Sequence, residues 1–163
     1  MPTSNQLILS LCALSLCTVS AGAACAFGGA AGEKRLTRNE VPAPVLAAAD
    51  AQSKGAKVRG YSSEMENGHL EYEVDMVVNG HDKDVMFAPD GRVMEIEEAI
   101  NMDALAPQVQ AGLKAKAATG KITKIESITK GGKIVAYEAQ VMTAGKRSEI
   151  QVGPDGGKLA HEE

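Results

Sequence analysis

One pattern occurs twice in this sequence, and the repeat constrains the fold more than any other feature. The first copy runs through Tyr72 to a Pro-Asp-Gly turn at residues 89–91. The second copy has the same residue types 65 positions later, at Tyr137 and at residues 154–156. A regular internal period is typical of a chain built from repeated supersecondary units. Because a short unit buries too little surface to be stable alone, we expect the two copies to share one core.

The first 26 residues have the features of an export signal. An apolar run covers residues 7–19, and Ala24-Cys25-Ala26 is a small-x-small cleavage sequence. All three cysteines lie in this segment, so cleavage after it would leave no disulfide and no thiolate metal site. We expect a periplasmic or secreted protein without a membrane span. A lipid anchor at Cys25 is disfavoured, because Gly22 stands where a lipobox has leucine.

Charge is distributed unevenly along the chain. Residues 40–98 carry 13 acidic and 5 basic side chains, whereas residues 103–163 carry 7 acidic and 9 basic ones. This pattern predicts an acidic first module and a mildly basic second module. Aromatic residues make up only 3% of the chain, and basic patches with interleaved aromatics are missing, so the sequence argues against a nucleic-acid-binding protein.

Within each copy the hydrophobic period changes from that of a helix to that of strands. The apolar spacing predicts helices over Glu40–Ser53 and Met102–Thr119. The predicted strands are 57–65, 70–78, 82–87 and 92–97 in the first copy, and 121–128, 135–141, 150–152 and 158–160 in the second. This order predicts an α+β fold of two tandem helix-plus-four-strand antiparallel repeats. The helices should pack on one face of the sheet and leave the other face open.

The predicted domain organisation follows from these elements. A Gly-rich and then charged stretch after the export signal indicates a disordered leader. The four segments are a signal peptide at 1–26, the leader at 27–39, the first repeat at 40–98 and the second repeat at 99–163.

The repeated unit resembles the PepSY-like domain over about residues 40–163. The residues that carry the resemblance are Pro42, Tyr72-Glu73-Val74, Asn79-Gly80 and the Phe-Ala-Pro-Asp-Gly-Arg-Val segment at 87–93. The second copy keeps Tyr137-Glu138 and the turn at 154–156, but has Val152 in place of Phe87. PepSY domains occur in propeptides of thermolysin-type peptidases and in bacterial envelope proteins. The resemblance therefore implies an envelope protein with an inhibitory or regulatory role.

The tandem arrangement also resembles the secreted β-lactamase inhibitor proteins, in which two units form one concave sheet. Those inhibitors carry disulfides and aromatic-rich inhibitory faces. This chain has neither after signal cleavage, so the resemblance does not extend to their target.

A two-residue turn at Asn79-Gly80 predicts which residues of the first module face each other. Val74 then lies opposite Val85 on the inner side, and Asp75 lies opposite Asp84 on the outer side. Like charges directly opposite are destabilising, so a cluster of this kind invites a cation or a basic partner. The predicted binding residues are Glu71, Glu73, Asp75, Val77, Asp82, Asp84 and Met86. The alternative is a solvated strand face kept charged against edge-to-edge pairing.

Catalytic motifs are missing from the sequence. It has no Gly-x-Ser-x-Gly elbow, no Gly-rich phosphate loop and no pair of histidines at metal-ligand spacing. We therefore expect a non-enzymatic protein without cofactor or metal, which binds and inhibits or regulates another envelope or secreted protein such as a peptidase. The alternatives are a periplasmic protein that binds a small ligand or cation through the same carboxylates, and an envelope stress or assembly factor.

Overall fold

A computed structural model describes residues 33–66 and 68–163. The predicted signal peptide and Cys25 lie outside these residues. The helices are α1 (Ala43–Gln52) and α2 (Pro107–Ala117). The strands are β1 (Lys34–Leu36), β2 (Lys57–Glu66), β3 (His69–Val78), β4 (His81–Phe87), β5 (Val93–Ala99), β6 (Lys121–Lys130), β7 (Lys133–Thr143) and β8 (Lys146–Val152). Short 3-10 helices at Arg38–Glu40 and Met102–Ala104 precede α1 and α2.

Among these described residues, no helix is long and apolar enough to cross a membrane.

The eight strands form one antiparallel sheet in which each strand pairs with its neighbour in the chain. The predicted architecture of two tandem helix-plus-four-strand repeats is therefore wrong. The first half supplies α1 and β2–β5, the second half supplies α2 and only β6–β8, and the pairing of β5 with β6 joins them. In addition, β1 lies within the segment predicted to be a disordered leader and pairs with β2.

The expected strand at residues 158–160 is a loop. The segment that precedes it forms a closed turn, in which Gly153 N–H donates to Gly157 O at 2.9 Å and Gly157 N–H donates to Asp155 Oδ1 at 2.8 Å. After this turn only Leu159 offers a large apolar side chain before the chain becomes polar. In contrast, β5 has seven residues, which is enough to alternate between the two faces of the sheet and pair on both sides.

In the described part of the chain, the core consists of two clusters between the helices and one face of the sheet. The first cluster contains Val45, Ala49, Val74, Val85 and Phe87. The second contains Val109, Leu113, Ile125, Ala139 and Val152. Fully burying such a side chain contributes roughly 1.5–3 kcal/mol, so each helix is fixed to the sheet mainly by its apolar stripe.

The repeated Pro-Asp-Gly turns pack against the first turn of each helix. A Cβ atom at Gly91, where φ is +85°, would lie 2.5 Å from Pro44 O. A Cβ atom at Gly156, where φ is +77°, would collide with the backbone of Gln108. Glycine is therefore needed twice over, for the left-handed backbone and for the close approach. This contact explains why the turn recurs at the same spacing as the helices.

The β3–β4 hairpin has the register that the sequence predicts. Asn79 and Gly80 have φ values of 52° and 86°, as a two-residue turn with both central residues left-handed requires. Val74 pairs with Val85 on the buried side, and Asp75 pairs with Asp84 on the other side.

Candidate functional site

The sheet face turned away from the helices carries carboxylates on every strand from β2 to β8, and we call it the open face. It forms a trough of about 1140 Å³. The carboxylates that line the trough on these strands are Glu64, Glu66, Glu71, Glu73, Asp75, Asp82, Asp84, Glu95, Glu97, Glu126, Glu138 and Glu149. The alternation of side chains along each strand places them on one side, because their neighbours in the sequence point to the opposite face of the sheet.

The seven residues predicted as a binding face lie together on β3 and β4. Cross-strand pairing joins Glu73 to Met86, Asp75 to Asp84 and Val77 to Asp82, with Glu71 at the next position on the same face of β3. All seven are half-buried. The structure thus brings the predicted residues together, but they form only one part of a wider acidic surface.

The carboxylates are most crowded on β3–β6. One oxygen from each of Glu73, Asp75 and Asp84 lies within 4.8 Å of the others, and the same is true of Asp84, Glu97 and Glu126. Asp84 belongs to both groups, so the five side chains form one continuous set, which we call the carboxylate cluster. Because like charges at this spacing repel strongly in a half-buried site, the cluster cannot carry five full negative charges at low cost.

Burial keeps protons on several of these carboxyl groups. Burial, with Asp75 adding to it, raises the pKa of Glu73 to about 8. Burial, again reinforced by Asp75, raises the pKa of Asp84 to about 7. Burial and then the charge of Glu126 raise the pKa of Glu97 to about 9. The open face is therefore less negative near neutral pH than its composition suggests, and its charge changes over the physiological range.

Two neighbours adapt the surface to these side chains. Ser62, which is only 2% exposed, donates a hydrogen bond of 2.9 Å to Glu73 Oε2. This bond favours the ionised form of Glu73 and partly opposes the effect of burial on its pKa. Gly60 leaves room for Asp75, since a Cβ atom there would lie 2.9 Å from Asp75 Oδ2.

Basic side chains neutralise part of the acidic surface. Lys124 Nζ lies 2.6 Å from Glu126 Oε1 and 3.9 Å from Asp82 Oδ2, and Arg59 Nη1 lies 2.9 Å from Asp82 Oδ1. Glu126 is only 3% exposed, and its contact with Lys124 is an ion pair without hydrogen-bond geometry. Lys124 thus makes the burial of Glu126 tolerable, because a buried charge needs an opposite charge close by.

A separate part of the open face, on β6–β8, is built around Gln151. This side chain is 6% exposed, and its Nε2 donates to Glu138 Oε2 at 2.9 Å. Residues 161–163 also line the trough. Lys130 Nζ lies 3.0 Å from Glu95 Oε2 and 3.2 Å from Glu163 Oε2. At this end of the face, one lysine therefore pairs with two of the carboxylates.

The residues of the site that sequence reasoning missed include Glu97, Glu126, Glu138 and Gln151. The alternation of polar and apolar residues in β5 could have placed Glu97 on the same side as Glu95. The contact between Asp84 and Glu126 depends on the pairing of β5 with β6, which no turn motif specifies. Irregularities between Ile122 and Lys124, and between Ile128 and Thr129, also shift the alternation of β6.

Several solved structures share this fold. A protein from Bacteroides eggerthii, provisionally described as periplasmic, is 19% identical with a TM-score of 0.58, over 72% of this chain and 84% of that one. A BLIP-like protein from Bacteroides fragilis is 18% identical with a TM-score of 0.53, over 75% and 85%. A DUF2874 family protein from Bacteroides uniformis is 19% identical with a TM-score of 0.57, over 74% and 86%. Likenesses at these identities establish the fold alone.

The chain therefore has a BLIP-like architecture. No protein-family model and no curated protein matches the sequence. The resemblance to the PepSY-like domain accordingly stays a prediction.

Proposed function

We propose that this chain is a non-enzymatic protein of the periplasm or the extracellular space, which binds another protein through its open face. The observation that carries the proposal is the carboxylate cluster on β3–β6. The predicted export signal and the periplasmic description of the Bacteroides eggerthii neighbour support the location.

The carboxylate cluster lies outside the hydrophobic core and works against the stability of the folded state. The hydrophobic core lies on the helix side of the sheet, and the crowded carboxylates destabilise the folded state by repulsion and burial. Natural sequences depart from the rules of stability mainly at functional sites, and strongly perturbed pKa values also mark such sites. A partner that brings an arginine or lysine into the trough would relieve the repulsion and gain charge-assisted hydrogen bonds.

For the kind of partner, we propose a secreted or envelope enzyme, such as a peptidase, which the chain inhibits or regulates. The BLIP-like fold supports this proposal, since a concave sheet can cover the surface around another protein's active site. We do not extend the proposal to β-lactamase, because the aromatic-rich face of the inhibitors is not found here. Electrostatic complementarity would mainly raise the association rate and select the partner.

The test is capture of a partner from an envelope extract of the native organism, with residues 27–163 as bait. The first variant carries Glu73→Lys, Asp75→Lys and Asp84→Lys. A matched variant carries Asp50→Lys, Asp90→Lys and Asp103→Lys, which change the net charge equally at positions off the open face. The proposal would be supported if one protein is captured by the unmodified chain and by the matched variant, but not by the first variant. The same proteins captured by all three baits would refute it.

A second candidate function is binding of a divalent cation such as Ca²⁺. Two groups of three carboxylate oxygens within 4.8 Å of one another favour it, because hard cations prefer several oxygen ligands. The metal would have to displace protons from the cluster, so binding should strengthen as pH rises. Saturation at about 100 times the dissociation constant would stabilise the fold by about 2.7 kcal/mol. An unchanged melting temperature in millimolar Ca²⁺ at pH 8 would exclude this candidate.

A further inference from the structure

Residues 160–163, which we call the return segment, lead back to the open face beside Gln151. Glu163 N–H donates a hydrogen bond of 2.8 Å to Gln151 Oε1, and Gln151 Nε2 donates a longer one of 3.4 Å to Glu163 O. One side-chain carboxamide thus binds both the N–H and the main-chain oxygen of a single residue. Paired residues in an antiparallel sheet exchange the same two bonds. Gln151 therefore recognises main chain rather than a particular side chain.

The glutamine is also held by a side chain of the neighbouring strand β7, independently of the return segment. Gln151 is 6% exposed, and its bond to Glu138 Oε2 fixes which way the carboxamide points. A preorganised buried group loses little freedom when a ligand binds. The contact is therefore a built site and not an accidental meeting of surface side chains.

The side chain of the bound residue is recognised separately. Lys130 Nζ lies 3.2 Å from Glu163 Oε2, and Glu95 holds the same ammonium group from the other side at 3.0 Å. Lys130 is only about one-third exposed, so its position is constrained. The site therefore favours an acidic side chain next to the main-chain amide that Gln151 binds.

We propose that Gln151 and Lys130 form a binding site for an extended segment of a partner protein that carries an acidic side chain, and that the return segment occupies this site in the free protein. The proposal rests on the proposed function only in placing the partner on the open face, and it uses none of the carboxylates tested there. An intramolecular occupant acts at an effective concentration in the millimolar range. A partner must therefore displace the return segment, which lowers the apparent affinity of every ligand for the site by the same factor.

The test uses NMR of ¹⁵N-labelled residues 27–163, which contain the whole described fold, and follows the side-chain NH₂ signals of Gln151. Glu163→Pro removes both the N–H donor and the carboxylate of the return segment. The probe is an acetylated and amidated peptide with the sequence of residues 157–163. In this variant we expect the Gln151 signals to shift, and the peptide to restore them with half-saturation at about a tenth of a millimolar, because the return segment fills the site at a millimolar effective concentration. In the unmodified chain the peptide should bind at least about tenfold more weakly, since the site is filled.

A second peptide, with glutamine in place of its last glutamate, tests the acidic preference. It should bind about two- to fivefold more weakly, as for a partly exposed ion pair. Lys130→Met in the Glu163→Pro background should abolish this difference between the peptides, whereas Lys133→Met, on the same hairpin, should keep it. No restoration of the Gln151 signals at about ten millimolar peptide, or equal binding by the unmodified chain, would overturn the proposal. Equal binding of the two peptides would overturn its acidic preference.

Discussion

Replacing Glu97 with glutamine should stabilise the protein at high pH, although the side chain lies inside a polar cluster. Burial, reinforced by Glu126 and Glu138, raises the pKa of Glu97 from 4.5 to about 9. The folded state therefore holds a proton that the unfolded state releases. Stability is fully present below about pH 4.5 and is lost as pH rises towards 9, because the unfolded chain binds fewer protons than the folded chain over this range. Glutamine keeps the shape of the protonated carboxyl group and never ionises.

The size of the effect follows from the pKa shift. Each unit corresponds to about 1.36 kcal/mol, so a shift from 4.5 to about 9 sets a ceiling of roughly 6 kcal/mol. Glu97 keeps some contact with water and shares its site with carboxylates that titrate together with it. We therefore expect the gain from Glu97→Gln to grow by about 1–3 kcal/mol between pH 5 and pH 9.

The assay is equilibrium unfolding in urea at pH 5, 7 and 9, with Glu98→Gln as the control. Glu98 is the next residue of β5, and its 53% exposed side chain pairs with Lys83 on the opposite face. Removing this ion pair should cost no more than about 1 kcal/mol, with little change over the same pH range. The expected destabilisation by ionised Glu97 would be refuted if the stability gained by Glu97→Gln does not increase with pH. It would also be refuted if the variant is less stable than the parent at pH 9.

Three further substitutions test other parts of the structure. Phe87→Ala should lower the free energy of unfolding by about 3–5 kcal/mol in a urea titration, because Phe87 is fully buried. A loss under about 1 kcal/mol would show that the first hydrophobic cluster is not the core. Gly91→Ala should lower the free energy of unfolding by about 2 kcal/mol or more, since the new Cβ would lie 2.5 Å from Pro44 O in a left-handed backbone. Thermal unfolding measures this loss, and an unchanged melting temperature would contradict the close packing of this turn. Ser62→Ala should raise the pKa of Glu73 further, because the hydrogen bond to the carboxylate is lost. This pKa can be measured by NMR titration, and a lowered or unchanged value would show that the bond is unimportant.

Local rules in the sequence were sufficient for the hairpin that carries the predicted binding residues. Asn79-Gly80 fixes the register, and the alternation along β3 and β4 assigns each side chain to a face. Both signals involve residues that are close in the sequence. They act wherever a tight turn meets two alternating strands.

The same rules could not provide the rest of the site. The pairing of β5 with β6 spans α2, so no turn residue marks it, and it is this pairing that brings Glu126 to Asp84. Residues 158–160 could be taken for a strand because of the repeat, yet they lack the apolar side chains to be one. The repeat preserved the turns that pack on the helices, while the strand after the second turn was not preserved.

The order of the strands affects how the chain can fold. Because each strand pairs with the one before it, no strand has to wait for a distant part of the chain, and such local topology favours fast folding. A chain that is made from its first residue onwards could add strands in turn, with the newest strand always exposed as an edge. The last edge is then protected by charge: β8 exposes Lys146, Arg147 and Glu149, and Lys116 Nζ donates to Gln151 O at 2.8 Å. These charges disfavour pairing of this edge with a strand of another molecule.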